Sequence, residues 1–280
     1  MGALKKEKKV TEPQYFTSVV NNQVLNYRVY VMKPLEKLIY SILTIVAGGL
    51  VGLIFYGGLF KNDGEATFAT FISNIVVFIL IGLLAKKLFL PTIAESLRKK
   101  RISKLRVQFR DFLDAMTNSL SSGANINDAV ENAYSDLLSQ YIVVEVKEMI
   151  SGIHNGVPIE DMLRSFGERS GTDDITNFSV VFETAYRTGG NIKDIIRRTT
   201  DIISEKMMIS EEIETKLTSN KMQMRAMNVI PIFLVLMLRL SSSEFAAAFA
   251  SIIGVVCMTI GVGFFVAAYF VGQKMMDIKG

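Results

Sequence analysis

The residue types that carry most enzyme chemistry are scarce in this 280-residue chain. It has one histidine, His154, and one cysteine, Cys257, too few for a structural zinc site or a disulfide framework. His154 lies at a predicted helix end, where a capping or surface role is favoured over a phosphoacceptor or base. The sequence shows no Walker loop, dinucleotide-binding glycine pattern or nucleophile elbow. We therefore expect no catalytic residue, cofactor or metal, and no enzyme activity.

Two charged clusters could bind a ligand, but each has a simpler explanation. Asp173 and Asp174 could form an acid–base or metal pair, although helix capping and helix-dipole interactions explain them as well. The basic run Arg98–Arg101 could bind nucleic acid, but beside an apolar run it is more simply a lipid-headgroup anchor. The apolar runs contain no acidic residue for a proton or ion path, which disfavours a transporter.

One phrase of glycine, isoleucine and aspartate occurs three times at a spacing of 33 residues. Each glycine is followed by Ile three positions later and by Asp five positions later. Glycine favours a helix end, and Asn191 with Asp194 suits the start of the next helix. Whether a true repeat or a coincidence, the phrase predicts helix–turn–helix joints. The candidate partner-contact or turn residues are Gly123, Asp128, Gly156, Asp161, Gly189, Gly190 and Asp194.

The chain as a whole has the composition of a membrane protein. Half of its residues are hydrophobic and its mean hydropathy is +0.32. Residues 38–85 and 226–272 each contain two apolar runs, and each pair predicts a transmembrane hairpin. We expect Pro91 to discourage continuation of the second helix, and Arg239 to snorkel at the end of the third span. Gly48 and Gly52 form a small-residue pair that could pack against another helix.

Residues 86–225 are charged and have an amphipathic helical pattern, which predicts a helical bundle. Residues 1–37 form an arm in which Gln14–Met32 is predicted to lie at the membrane surface, and residues 273–280 form a tail. Lys and Arg near the spans cluster on one side, so the positive-inside rule predicts cytoplasmic termini and a cytoplasmic bundle. The predicted fold class is all-α, a polytopic membrane protein with a cytoplasmic helical bundle between two transmembrane hairpins.

The last predicted helix of the bundle is long, because residues 191–230 contain neither Gly nor Pro. Its apolar residues from Ile192 to Leu217 follow a near-heptad stripe that Lys206 interrupts. This stripe fits either packing on the helix's own bundle or a self-association seam.

Four segments in this order resemble the type II secretion system F-domain family: Ser121–Ala129, Gly156–Leu163, Thr188–Ile192 and Val229–Pro231. The resemblance covers about 104–231, and the layout is similar to that of the shorter members, the inner-membrane platform proteins of Tad-type pili. It implies a non-catalytic protein of the cell inner membrane that contacts a cytoplasmic secretion ATPase and pilin subunits. Many larger members have two F domains and a glutamate before the last glycine turn, where this chain has Arg187-Thr188.

The resulting hypothesis is a platform protein that couples a cytoplasmic assembly ATPase to pilin extrusion, within the lipid bilayer and without nucleic acid. A single F domain suggests pairing with a sister platform protein or with itself. The alternative is a membrane-anchored helical signalling or regulatory scaffold that dimerises along Ile202–Leu217. Loss of the chain would impair pilus assembly or secretion in the first case, and a signal output in the second.

Overall fold

The computed structural model describes residues 12–58, 68–137 and 140–276, so the predicted turn at residues 61–65 lies outside the described part. Apart from two short strands, the regular elements of these residues are all helices, and four helical segments are long and apolar enough to cross a membrane. This confirms the all-α polytopic fold class. The elements in chain order are β1 (Tyr15–Thr17), β2 (Gln23–Leu25), α1 (Pro34–Tyr56), α2 (Phe68–Ser121), α3 (Ile126–Asp136), α4 (Gln140–His154), α5 (Ile159–Ser170), α6 (Asp173–Thr188), α7 (Ile192–Ser241), α8 (Ser243–Ala250) and α9 (Ile252–Met276).

The chain divides into two compact units. Unit 1 comprises Met1–Val31 and Ala94–Met208, and unit 2 comprises Met32–Ile93 and Ile209–Gly280. Both divisions between the units that involve helices fall inside a continuous helix, α2 in one case and α7 in the other. Each unit is therefore assembled from segments that are far apart in the sequence.

Unit 1 is a helical bundle around an aromatic core. The inward face of α2 carries Leu105, Phe109, Phe112 and Met116 at three- and four-residue spacing, and all four are buried. The Phe109 ring meets the Phe178 ring of α6 edge to face, with 5.4 Å between centroids. The amphipathic pattern that predicted a bundle is thus realised as a close-packed core.

The N-terminal arm is part of this core, whereas the sequence predicted an element at the membrane surface. Strands β1 and β2 pair antiparallel, with Phe16 opposite Val24. Val24 and Tyr27 are buried among the helices, with 4% and 1% of their surface exposed. The alternating polar and apolar residues therefore form a strand hairpin, and the helices of unit 1 cover its apolar side.

The four predicted membrane spans correspond to four helices that are long and apolar enough to cross a bilayer: Pro34–Tyr56, Phe68–Ser121, Met222–Ser241 and Ile252–Gly272. The expectation that Pro91 discourages continuation of the second helix was wrong, because α2 continues through it. The apolar C-terminal run is divided instead, since α8 ends at Ala250 and α9 begins at Ile252.

Within unit 2, small residues bring α1 and α2 together. A Cβ atom on Gly52 would lie 2.8 Å from Ile81 Cδ1, and one on Gly82 would lie 2.7 Å from the Ile45 carbonyl oxygen. Gly48 also faces α2, at Ala85. The small-residue pair predicted from the sequence therefore packs within its own hairpin.

Arg239, which was expected to snorkel, has partners within unit 2. Its guanidinium donates to two carbonyl groups at the end of α1, Gly57 O at 2.5 Å and Phe55 O at 2.9 Å, and lies over the Phe249 ring. The last carbonyls of a helix have no partner within the helix and carry partial negative charge, so a cation suits them. Arg239 therefore links the two predicted hairpins of unit 2.

Candidate functional site

The three glycine turns are helix junctions, as the sequence predicted. Gly123 follows α2, Gly156 follows α4 and Gly189 follows α6, with φ values of 95°, 76° and 69°. This left-handed region is open to glycine at little cost, so each glycine ends its helix and reverses the chain. Gly190 differs, because its φ is not positive; its N–H donates to Ala185 O at 2.8 Å.

The first and third junctions share the same helix cap. Asp128 N–H donates to Asn125 Oδ1 at 2.9 Å, while Asn125 Nδ2 donates to Asp128 Oδ2 at 2.6 Å. Asp194 and Asn191 repeat both contacts, at 3.3 Å and 2.7 Å. Each aspartate also lies in the positively polarised first turn of its helix. The two aspartates therefore have a structural role in helix capping, and any contact with a partner would be additional to that role.

The second junction is built differently. Pro158 occupies the cap position, without a side-chain cap, and Asp161 forms an ion pair with Arg164 at 2.5 Å. Arg164 also reaches Glu183 of α6 at 3.2 Å, and Glu183 in turn reaches Arg187 at 3.0 Å. The aspartate of this junction thus belongs to a surface network that joins α5 to α6.

All three junctions lie at one end of unit 1. Helices α3 and α4 pack as an antiparallel pair, in which His154 at the end of α4 contacts Glu131 of α3 at 2.8 Å. Helices α5 and α6 form a second antiparallel pair. The chain therefore returns to the same end after every second helix. We call this end, formed by the turns at Gly123, Gly156 and Gly189, the glycine end.

The opposite end of unit 1 is where α2 enters and α7 leaves it. There the buried carboxylate of Asp174 lies 2.8 Å from Arg106 Nε of α2 and 2.5 Å from Lys206 Nζ of α7. The cap of α6 is Thr172, whose hydroxyl accepts from Asp174 N–H. Asp174 is thus a structural ion-pair partner that joins three helices, which favours the structural explanation over a metal or acid–base pair.

An open depression of about 340 Å³ lies at the glycine end. It is lined by Asn125, Ile126, Asn127, Asp128 and Tyr186. The Tyr186 side chain is 40% exposed, and its ring stacks on the buried Phe182 ring with 5.9 Å between centroids. An exposed aromatic ring held by packing, beside amide and carboxylate groups, is typical of a protein contact surface.

The sequence did not single out Tyr186, although it lies three residues before Gly189. No local pattern distinguishes it, because its place beside Asp128 depends on how α3 and α6 pack. The structure therefore brings the first and third predicted junctions together around a residue that spacing alone did not indicate.

A buried polar network at the other end holds the N-terminal arm. Arg169 of α5 donates to Glu145 of α4 at 2.5 Å and 3.0 Å, and both side chains are almost fully buried. Tyr27 donates its hydroxyl to Glu145 at 3.0 Å. Burial, reinforced by the Glu145 charge, raises the pKa of Tyr27 well above its usual range. The phenol therefore remains a hydrogen-bond donor into the alkaline range.

The residues of the basic run Arg98–Arg101 have different partners, so the run is not only a binding site for lipid headgroups. Arg101 is buried, and its Nη2 donates to the carbonyls of Asn26, Tyr27 and Val29 at 3.3, 3.2 and 2.7 Å. Arg98 pairs with Glu95. The prediction of a headgroup anchor was therefore wrong for Arg101, which clamps the arm to α2.

The described residues offer little for catalysis. Among them, no group of three or more His, Cys, Asp or Glu side chains could hold a metal ion. His154 is exposed and contacts Glu131, and Cys257 is exposed on α9. The arrangement at the glycine end instead supplies polar and aromatic groups suited to contact with another protein.

Comparison with known proteins gives one family. Residues 112–240, just under half of the chain, match the family described as Type II secretion system (T2SS), protein F. The match begins inside α2, ends near the C-terminus of α7 and includes all three glycine junctions. No curated protein and no solved structure matches the chain. The family is associated with structural inner-membrane platform proteins of secretion and pilus systems. Residues 112–240 are thus similar to the T2SS F-domain family, and four helices of the described residues are long and apolar enough to cross a membrane.

Proposed function

We propose that this chain is the platform protein of a pilus or type II-like secretion machine, coupling a cytoplasmic assembly ATPase to pilin extrusion. The observation that carries the proposal is the family match across three junctions that meet at one exposed end of unit 1. The order of an apolar helix pair, unit 1 and a second apolar helix pair favours a member of the shorter, Tad-like type. The proposed partners are the ATPase, pilin subunits and a sister platform protein or a second copy.

The segments that make up unit 1 support the proposed topology. Residues 12–31 and 94–208 share one core, so they must lie on the same side of the membrane. Two of the four apolar helices lie between them in the sequence, and an even number of spans returns the chain to its starting side. The concentration of Lys and Arg near the spans then favours the cytoplasm for unit 1 and for both termini.

The glycine end is the surface that we assign to the ATPase. Because α2 enters and α7 leaves unit 1 at the other end, the glycine end is free of the chain's own connections to the apolar segments. Its depression carries Tyr186 as an aromatic anchor and Asp128 as a charged rim. A moving partner can contact this surface without displacing core residues.

A charge reversal at the glycine end tests this assignment, with a control on the same helix. Asp128→Lys alters the depression, whereas Asp136→Lys places the same change on an exposed residue at the far end of α3. We expect Asp128→Lys and Tyr186→Ala to reduce ATPase binding at least tenfold and Asp136→Lys to leave it unchanged. Because Asp128→Lys also removes a cap contact, Asp128→Asn, which keeps an acceptor, serves as a folding control. Equal binding by Asp128→Lys, Tyr186→Ala and the unsubstituted protein would contradict the assignment.

The second candidate is a signalling scaffold that self-associates through α7. One observation favours self-association: Ile209 and Ile213 are 49% and 38% exposed on one side of that helix. Disulfide trapping at Ile209→Cys, in a background with Cys257→Ala, would reveal this contact. Self-association by itself fits either function. Intact pilus assembly or secretion in cells that lack the chain would favour the scaffold.

A further inference from the structure

The N-terminal strand hairpin has an open edge that borders a groove. We infer that β1 accepts an extended segment of the cytoplasmic ATPase as an added strand, with a basic side chain of that segment against Glu168. This inference rests on the proposed function and names a second contact of the same partner. Its evidence is the direction of the β1 backbone, the groove beside it and the charge of α5.

The pairing of the two strands determines which backbone groups are free. Asn26 N–H donates to Gln14 O at 2.9 Å, and Ser18 N–H donates to Asn22 O at 2.8 Å. Antiparallel ladders alternate, so Phe16 also bonds toward β2, while the N–H and C=O groups of Tyr15 and Thr17 point away from it. These outward groups are the ones that an added strand would bond.

The outward edge is exposed and apolar. All three residues of β1 are exposed, and Tyr15 and Val19 have 51% and 55% of their surface accessible. An exposed edge strand with apolar side chains is a natural template for another strand, and proteins usually cover such edges. The described part of the chain leaves this one open.

A groove of about 320 Å³ lies between the hairpin and α5. Thr17 and Val19 form one wall, and Asp161, Arg164, Ser165 and Glu168 line the rest. Arg164 is already paired with Asp161 and with Glu183, so its charge is compensated. Glu168 is exposed and has no ion-pair partner among the described residues. The groove therefore favours a segment that brings a cation to α5.

The hairpin is held firmly enough to act as a template. Ser18 donates its hydroxyl to Glu148 of α4, and Asn22 Nδ2 donates to the same carboxylate at 2.9 Å. Tyr27 N–H donates to Arg169 O at 2.9 Å. A preformed edge lowers the entropy cost of adding a strand.

The position of the groove indicates which partner would use it. Asp161 belongs both to the groove and to the second glycine junction, so the groove is continuous with the surface that we assign to the ATPase. A partner seated on the glycine end could thus extend a basic segment along α5 to β1. A lipid headgroup or another protein on this edge would be a different interaction.

Site-specific photocrosslinking in cells distinguishes this inference from the proposed function. p-Benzoylphenylalanine is placed at Val19 in the groove, at the exposed Asn127 in the depression or at the exposed Val180 of α6 as a control. We expect the ATPase to be captured from Val19 and Asn127, and not from Val180. Capture from Asn127 alone overturns the added strand and leaves the proposed function intact. Capture from neither position contradicts both, and capture of lipid or another protein from Val19 overturns the inference.

Backbone variants then test the strand itself, with the crosslinker at Val19. Thr17→Pro removes an outward N–H that β2 does not use, and edge strands tolerate proline at such positions. We expect at least fivefold less capture for Thr17→Pro, no change for Thr17→Val, which keeps the N–H, and a similar loss for Glu168→Lys. Hydrogen exchange at Asn26 shows whether the hairpin remains folded. Undiminished capture by Thr17→Pro with protected Asn26 would overturn the added strand.

Discussion

The buried pair of Arg169 and Glu145 gives the sharpest test of how the arm is held. Its side chains are 6% and 1% exposed, and one Glu145 oxygen also accepts the Tyr27 hydroxyl. Arg169→Met leaves a buried carboxylate without its cation and removes a donor to Leu25 O. Breaking such a pair from one side costs about 3–5 kcal/mol. We therefore expect the variant to lose a large part of the stability of unit 1.

The cost can be measured on the full-length protein in detergent micelles by pulse proteolysis across a urea series. With an m-value of about 2 kcal/mol/M, a loss of about 4 kcal/mol lowers the urea midpoint by about 2 M. Replacing the whole network by Glu145→Leu, Arg169→Met and Tyr27→Phe should recover at least half of the loss, because no charge is left buried. A midpoint shift below about 0.5 M for Arg169→Met alone would refute the reasoning, since it would mean that water solvates the pair.

Three further predictions concern single positions. Tyr27→Phe should destabilise unit 1 by about 1.5–3 kcal/mol at pH 7, because it removes a hydrogen-bond donor to a charged group. The pKa of Tyr27 is raised on folding, so the unsubstituted protein should also lose stability as the pH rises above about 10. The Tyr27→Phe variant should lose less stability over the same pH range. Gly82→Ile should loosen the α1–α2 contact and lower the thermal midpoint, whereas Gly261→Ala on α9, where a Cβ would meet nothing within 4 Å, should not. Phe109→Ala should destabilise unit 1 by about 3–5 kcal/mol by urea unfolding, against less than about 0.5 kcal/mol for the exposed Val144→Ala.

The sequence predicted the features that depend on neighbours along the chain. Helical periodicity in residues 86–225 predicted the bundle, and burial follows that period in α2 at Phe109 and Phe112. Glycine followed by Asn predicted the junctions at Gly123 and Gly189, because both residues act on their own backbone. The apolar runs predicted the four long apolar helices for the same local reason.

Features that depend on distant neighbours were missed. The arm was expected at the membrane surface, because nothing near Tyr27 in the sequence reveals Glu145 or Arg169 as partners. Pro91 was expected to discourage the helix from continuing, but a long apolar and amphipathic helix on both sides outweighs one lost hydrogen bond. Arg239 gained two carbonyl partners that only the packing of unit 2 supplies. The depression around Tyr186 depends on packing in the same way.

Purification of the tagged full-length protein from gently solubilised native membranes, followed by mass spectrometry, tests the central claim most directly. The platform account predicts stoichiometric recovery of a secretion ATPase together with a second F-type membrane protein or a second copy of this chain. Tyr186→Ala should lose the ATPase and keep the membrane partner. Recovery of no ATPase, under conditions that keep a known membrane complex intact, would contradict the account.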